Sequence, residues 1–131
     1  MAAEESYPDD LRYHPEHDWA RVDGDEAVLG ITWFAQDALG ELVHFEAPEV
    51  GTTVAKDAAY AEVESVKAVS DLIAPLSGEV LEVNRRVVDA PETVNEDPYG
   101  EGWLVRIRLA DPADVDALLD VDAYKQHLAE Q

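Results

Sequence analysis

Short runs of alternating apolar and polar residues fill most of this chain and predict strands more often than helices. Between residues 11 and 31 two such runs, 19–22 and 26–31, flank Asp23-Gly24-Asp25. An Asp-Gly pair in that setting signals a hairpin. Thr32 can cap a short helix, with Gln36 near capping-box spacing and Gly40 ending it. Residues 40–47 alternate as a strand that Pro48 stops, and 51–54 read as a turn with a short strand. Pro75 and Gly78 bound a strand at 79–83, and a charged, turn-rich loop runs from about 89 to 102. Residues 103–109 form the clearest strand. Asp111 then caps a helix with Pro112 in its first position and Val115, Leu118 and Leu119 on its apolar face. A second helix starts near Val121, with Val121, Tyr124 and Leu128 along one side.

One segment fits two patterns. In residues 58–74, Val63, Val66, Val69 or Ser70, and Ile73 fall at helical spacing in an Ala- and Glu-rich context. Residues 60–65 also alternate, Ala61 and Val63 against Glu62 and Glu64, and no Asn-Gly or Asp-Gly marks a turn near Lys67. The pattern leaves both readings open.

Composition narrows the class. Leu, Ile, Val and Phe make up 25% of the 131 residues, above the roughly 20% below which strongly charged chains stay disordered. The length suits one domain, expected over 11–131 behind a flexible, polar segment at 1–10. Thirty acidic residues against nine basic ones give a net charge of −21, which argues against nucleic acid and anionic membrane surfaces. The N-terminus has no signal-peptide pattern, no run is long enough to span a bilayer, and zero cysteines exclude disulfides and thiolate chemistry. A soluble, cytoplasmic protein is expected. The acidity is dispersed, which favours adaptation to a salty cytoplasm over steering towards a basic partner.

Candidate chemistry is sparse. His14 and His17 lie beside Glu16 and Asp18 but lack a third soft ligand, so the pair reads as structural and no metal is expected. Ser65, Ser70 and His44 lack a Gly-x-Ser-x-Gly elbow, and seven scattered glycines form no phosphate loop. No catalytic residue is expected. Lys67 stands apart, flanked by Val66 and Ala68 in a neighbourhood without another cation.

The run Val63-Glu64-Ser65-Val66-Lys67-Ala68, followed by Ser70-Asp71 and by Pro75, Gly78-Glu79-Val80, Glu82-Val83-Asn84, resembles the H-protein family of the glycine cleavage system. The resemblance extends in order to His17-Asp18-Trp19, Gly30-Ile31-Thr32, the stretch 35–41, Pro48-Glu49-Val50-Gly51 and the stretch 94–103. It covers roughly 11–130. Ala61 stands where the family usually has Gly, and Trp33-Phe34 replace a more polar pair.

The resemblance implies a mostly β fold, a flattened sandwich or barrel of short antiparallel strands as in lipoyl and biotinyl carriers. It adds a short helix in the N-terminal half, helices at the C-terminus, and Lys67 at a hairpin tip with arms at 60–65 and 69–74. Lipoate would be carried in amide linkage on Lys67, in the recognition context of Glu64, Ser65, Val66, Ala68, Ser70 and Asp71. In the family's cycle a pyridoxal-phosphate glycine decarboxylase transfers an aminomethyl group to the lipoyl disulfide, and an aminomethyltransferase passes its carbon to tetrahydrofolate. Dihydrolipoyl dehydrogenase reoxidises the dithiol, and a lipoate-attaching enzyme installs the group. The protein places the arm and the cofactor supplies the chemistry. The loaded arm would rest in a cleft whose polar lining includes Asp18 and Asp71. Acyltransferase lipoyl domains typically carry Asp before the lysine, and biotin carriers Met on both sides, where this chain has Val66 and Ala68. A lipoyl donor or relay for other complexes, or an unmodified binding module of the same fold, would keep the same lysine.

Overall fold

A computed structural model describes residues 3–131. Strands β1 (Arg12–Tyr13), β2 (Asp18–Asp23) and β3 (Glu26–Ile31) lead into helix α1 (Trp33–Leu39). Strands β4 (Leu42–Glu46), β5 (Thr53–Val54), β6 (Ala59–Ser65), β7 (Val69–Ile73) and β8 (Gly78–Val83) follow. After helices α2 (Arg85–Asp89) and α3 (Thr93–Glu96) come β9 (Val105–Leu109), a 3-10 helix at Pro112–Ala117 and helix α4 (Val121–Ala129). The strands form two antiparallel sheets, one in the order β1-β2-β3-β9-β8-β5 and one in the order β4-β6-β7.

Period-two alternation decides which face each strand buries. Ala27, Leu29 and Ile31 of β3 and Val105, Ile107 and Leu109 of β9 turn inwards to meet Phe45, Val63 and Leu72 from the smaller sheet. The outward Arg106 of β9 pairs with Glu26 of β3 at 2.5 Å and Glu82 of β8 at 2.9 Å, so the large sheet balances charge across its strands. A second cluster joins Tyr13, Trp19, Tyr99 and Tyr124, with Tyr13 and Tyr124 stacked at 4.6 Å. It fixes α4 against β1. Trp19 lies opposite Gly30, where any Cβ would overlap its indole.

The hairpin over 23–25 and the capping of α1 by Thr32, which accepts from the Ala35 N–H, match the sequence pattern. Gly40 ends α1 with φ +83°, a conformation that favours glycine. The ambiguous segment 58–74 is a hairpin and not a helix. Other expectations need correction. Gln36 makes no capping box: its amide donates to the Trp33 carbonyl and accepts from Asn95. The stretch taken as loop from residue 89 contains α3, and α2 precedes it, capped by Asn84, which accepts from the Arg86 N–H. Strand β9 starts at Val105 and not at 103, and the Asp111-capped turn is 3-10. Within the segment 1–10, expected to be flexible, three backbone carbonyls meet side chains of the aromatic cluster. The carbonyls of Ala3, Ser6 and Pro8 accept from Trp33 Nε1, Tyr99 Oη and Tyr13 Oη at 2.8, 2.6 and 2.6 Å. Residues 1 and 2 lie outside the described residues.

Candidate functional site

Lys67 sits exposed at the tip of the β6–β7 hairpin, between the exposed Val66 and Ala68. The Ser65 N–H donates to the Ala68 carbonyl at 2.7 Å and closes the turn. Ser65 is only 4% exposed, and its Oγ accepts from the N–H groups of Lys67 at 3.3 Å and Ala68 at 3.1 Å. A serine hydroxyl thus does what an aspartate or asparagine side chain does in other turns, accepting from the backbone N–H groups that follow it. The Val66 N–H donates to the Glu41 carbonyl at 3.1 Å, which pins the tip to the start of β4. The lysine stem runs beside Gly40: a Cβ there would stand 3.5 Å from Lys67 Cε. A rigid turn carries a free amine on a flexible stem, which suits an acylated carrier lysine.

The remaining expected residues divide into two sets. Glu64 and Asp71 are exposed on the outer face of the small sheet, Glu64 opposite Val69 and Asp71 opposite Glu62. Ser70 is half-buried and its hydroxyl donates to the Asp71 carbonyl at 3.3 Å. Asp18, the first residue of β2, is 3% exposed. Its carboxylate accepts from the Ile73 N–H on the free edge of β7, and its Oδ1 has no hydrogen-bond partner. Burial pushes its pKa well above the usual carboxylate range, and the Ile73 N–H offsets this only in part. The Tyr60 hydroxyl is a second buried polar atom without a partner, and it feels the Asp18 charge. Asp18 therefore lies behind the hairpin beside Tyr60, whereas Asp71 faces solvent.

His14 and His17 serve the scaffold. His14 Nε2 contacts Asp57 at 2.7 Å, and His17 Nδ1 contacts the Tyr124 hydroxyl at 2.9 Å, which in turn meets Thr32 Oγ1 at 2.8 Å. Phe34 packs on the His17 ring at 4.5 Å, and the Trp33 N–H donates to Tyr99 Oη at 2.8 Å. Trp33-Phe34 thus anchor α1 to the aromatic cluster. Sequence reasoning missed Gly40, Glu41 and Tyr60. Gly40 also lines a cavity of about 330 Å³ with Gln36, Asp37, Glu41, Glu92 and Asn95, within the range of small-ligand pockets.

Comparison with known proteins accords with this geometry. The family described as "Glycine cleavage H-protein" matches residues 11–131. The glycine cleavage system H protein of Anaeromyxobacter sp. (strain K) is 55% identical over 124 residues, covering 95% of this chain and 97% of that protein. That of Symbiobacterium thermophilum is 52% identical over 117 residues, covering 89% and 91%. The crystal structure of the glycine cleavage system H protein from Mycobacterium marinum superposes with a TM-score of 0.87 at 42% identity, covering 94% of this chain and 99% of that one. The chain belongs to the glycine cleavage H-protein family, the lipoyl carriers of the glycine cleavage system.

Proposed function

We propose that Lys67 carries lipoate in amide linkage and that the protein is a non-catalytic shuttle between enzymes. The observation that supports this most is the Ser65-stapled turn, which holds an exposed lysine at the hairpin tip. Its residues fit the group: the stem has room beside Gly40, and neighbouring Val66 and Ala68 add no competing amine. The bound lipoyl group would supply a redox-active disulfide that accepts the aminomethyl group of glycine. The chain's part is placement, which raises the local concentration of the sulfurs at a docked enzyme. The partners are glycine decarboxylase, aminomethyltransferase, dihydrolipoyl dehydrogenase and the lipoate-attaching enzyme. The place of work in this reading is the cytoplasm; among the described residues no helix is long and apolar enough to cross a membrane.

The loaded arm rests, in this reading, behind the hairpin. Asp18 offers an unsatisfied carboxylate oxygen to its ammonium, and Asp71 contributes from the exposed rim. The dispersed acidity fits a salty interior. Reconstitution with glycine decarboxylase tests the whole. The lipoylated protein should support glycine-dependent exchange of labelled bicarbonate, and Lys67→Arg should not. Exchange that survives Lys67→Arg would refute the carrier mechanism.

A further inference from the structure

Two polar atoms inside the fold have nothing to bond. Among the described residues, Asp18 Oδ1 and the Tyr60 hydroxyl are the buried side-chain polar atoms without a hydrogen-bond partner. Leaving such groups unpaired costs stability, and two of them at one place are not an accident of packing. The Asp18 charge acts on the Tyr60 hydroxyl, yet the two do not bond to each other. Asp18 is 3% exposed, whereas Tyr60 as a residue is half-buried and packs on the edge of the main core. The locus they share lies just beneath the surface.

A strand irregularity puts Tyr60 there. Along β6, Ala59 stands opposite Ile73 and Ala61 opposite Leu72, so Tyr60 is the extra residue, as in a β-bulge. Strict alternation would send its side chain outwards with the exposed Glu62 and Glu64. Bulges re-aim side chains and recur beside functional sites. Ile73, across from the irregularity, donates its N–H to the Asp18 carboxylate. One local feature thus serves both residues: Tyr60 turns inwards at the β7 residue that holds Asp18. From Val69, at the turn, to Ile73 is about 14 Å of strand, a span that a lysine stem lengthened by an acyl chain covers.

The two atoms select the guest. A carboxylate oxygen accepts, and a phenol oxygen accepts through its lone pairs, so together they suit a group with several N–H donors. An apolar guest would leave both unpaired, and an anion would meet the Asp18 charge. A primary ammonium satisfies both and supplies the counter-charge that a buried carboxylate needs. We infer that Tyr60 is a second acceptor for the loaded arm, its hydroxyl oxygen and Asp18 Oδ1 together holding the ammonium of the aminomethyl group. The inference rests on the proposed resting place behind the hairpin and adds to it a residue that sets specificity for a cation. Ammonia escapes when a free nitrogen lone pair forms a C=N bond while the C–S electrons return to sulfur, which takes up a proton. Water then adds to the carbon and frees ammonia and formaldehyde. A nitrogen held as ammonium has no lone pair to give, so the two acceptors slow the loss.

The test measures ammonia release from the full lipoylated chain, loaded with glycine and purified glycine decarboxylase and then freed of that enzyme. Melting of the unlipoylated chain is the second readout. Tyr60→Phe should release ammonia about tenfold faster, the scale of one lost hydrogen bond to a charged group. The same variant, unlipoylated, should melt about 4 °C higher, because it removes a buried hydroxyl that has no partner. An unchanged or lower melting temperature would mean that the hydroxyl is already satisfied in the empty protein, by a bound water for example, and would overturn the inference. Wild-type release from Tyr60→Phe beside faster release from Asp18→Asn would also overturn it, while leaving the resting place at Asp18 in force. Wild-type release from both variants would remove the resting place itself, and this inference with it.

Discussion

Ser65→Ala isolates the device that shapes the Lys67 turn. The substitution removes a hydroxyl that accepts from two backbone N–H groups, at 3.3 and 3.1 Å, and leaves the 2.7 Å backbone bond from Ser65 to Ala68 in place. The hairpin therefore still closes. Residues 66–68 are exposed, so water reaches the freed donors. The cost is that of losing a side-chain cap, about 1 kcal/mol, rather than of burying two orphan donors. With an unfolding entropy of about 2.1 cal/mol/K per residue, that cost lowers the melting temperature by about 4 °C. A looser turn also presents Lys67 in more conformations, so attachment of lipoate should slow by about two- to fivefold. Differential scanning calorimetry gives the first quantity and time-resolved intact mass the second. Ser65→Thr keeps the hydroxyl in a strand position that tolerates β-branching and should restore both. Wild-type melting and attachment in Ser65→Ala would show that the hydroxyl does not hold the turn. Failure of Ser65→Thr to rescue a real defect would point to packing of the buried β-carbon instead.

The buried Asp18 has a folded-state pKa raised by burial, so its contribution to stability is intact below the unfolded-chain value of ~3.9 and is lost as pH rises towards the folded value. Asp18→Asn should therefore stabilise the protein at neutral pH and change little near pH 3, and equal effects at both would contradict the burial argument. If Asp18 and Asp71 shelter the loaded arm, Asp18→Asn with Asp71→Asn should hasten ammonia release from isolated loaded protein while lipoylation proceeds normally; unchanged release removes them from that role. With −21 charges, melting should rise markedly from millimolar to molar KCl as the Debye length shortens from roughly 30 to 3 Å. A salt-independent melting temperature would leave the acidity to serve docking.

Local chemistry made some elements readable from sequence and long-range pairing hid the others. The Asp23-Gly24 turn, the Thr32 cap with Gly40 and the alternation of β9 are signals contained within a few residues. The β6–β7 hairpin was not readable from pattern, because Ser65 closes its turn and the heptad-like valines mimic a helix face. Knowledge of serine-closed turns was the signal that would have found it. Helices α2 and α3 span five and four residues, too short to show periodicity. The burial of Asp18 depends on β7 laying its edge over β2, and Trp33 finds its partner 30 residues away at Ala3. Neither contact leaves a local trace. The importance of Lys67 and its place at a hairpin tip came from resemblance, while the Ser65 and Glu41 contacts that shape the tip came only with the fold.

Peptide mapping by mass spectrometry after co-expression with a lipoate-attaching enzyme tests the central claim most directly. Three lysines compete for the label, Lys56, Lys67 and Lys125. The account expects the lipoyl group on the peptide that contains Lys67, and unmodified Lys56 and Lys125. A lipoyl group on either of those lysines, or a chain that remains wholly unmodified while a known carrier in the same cells is lipoylated, would contradict it.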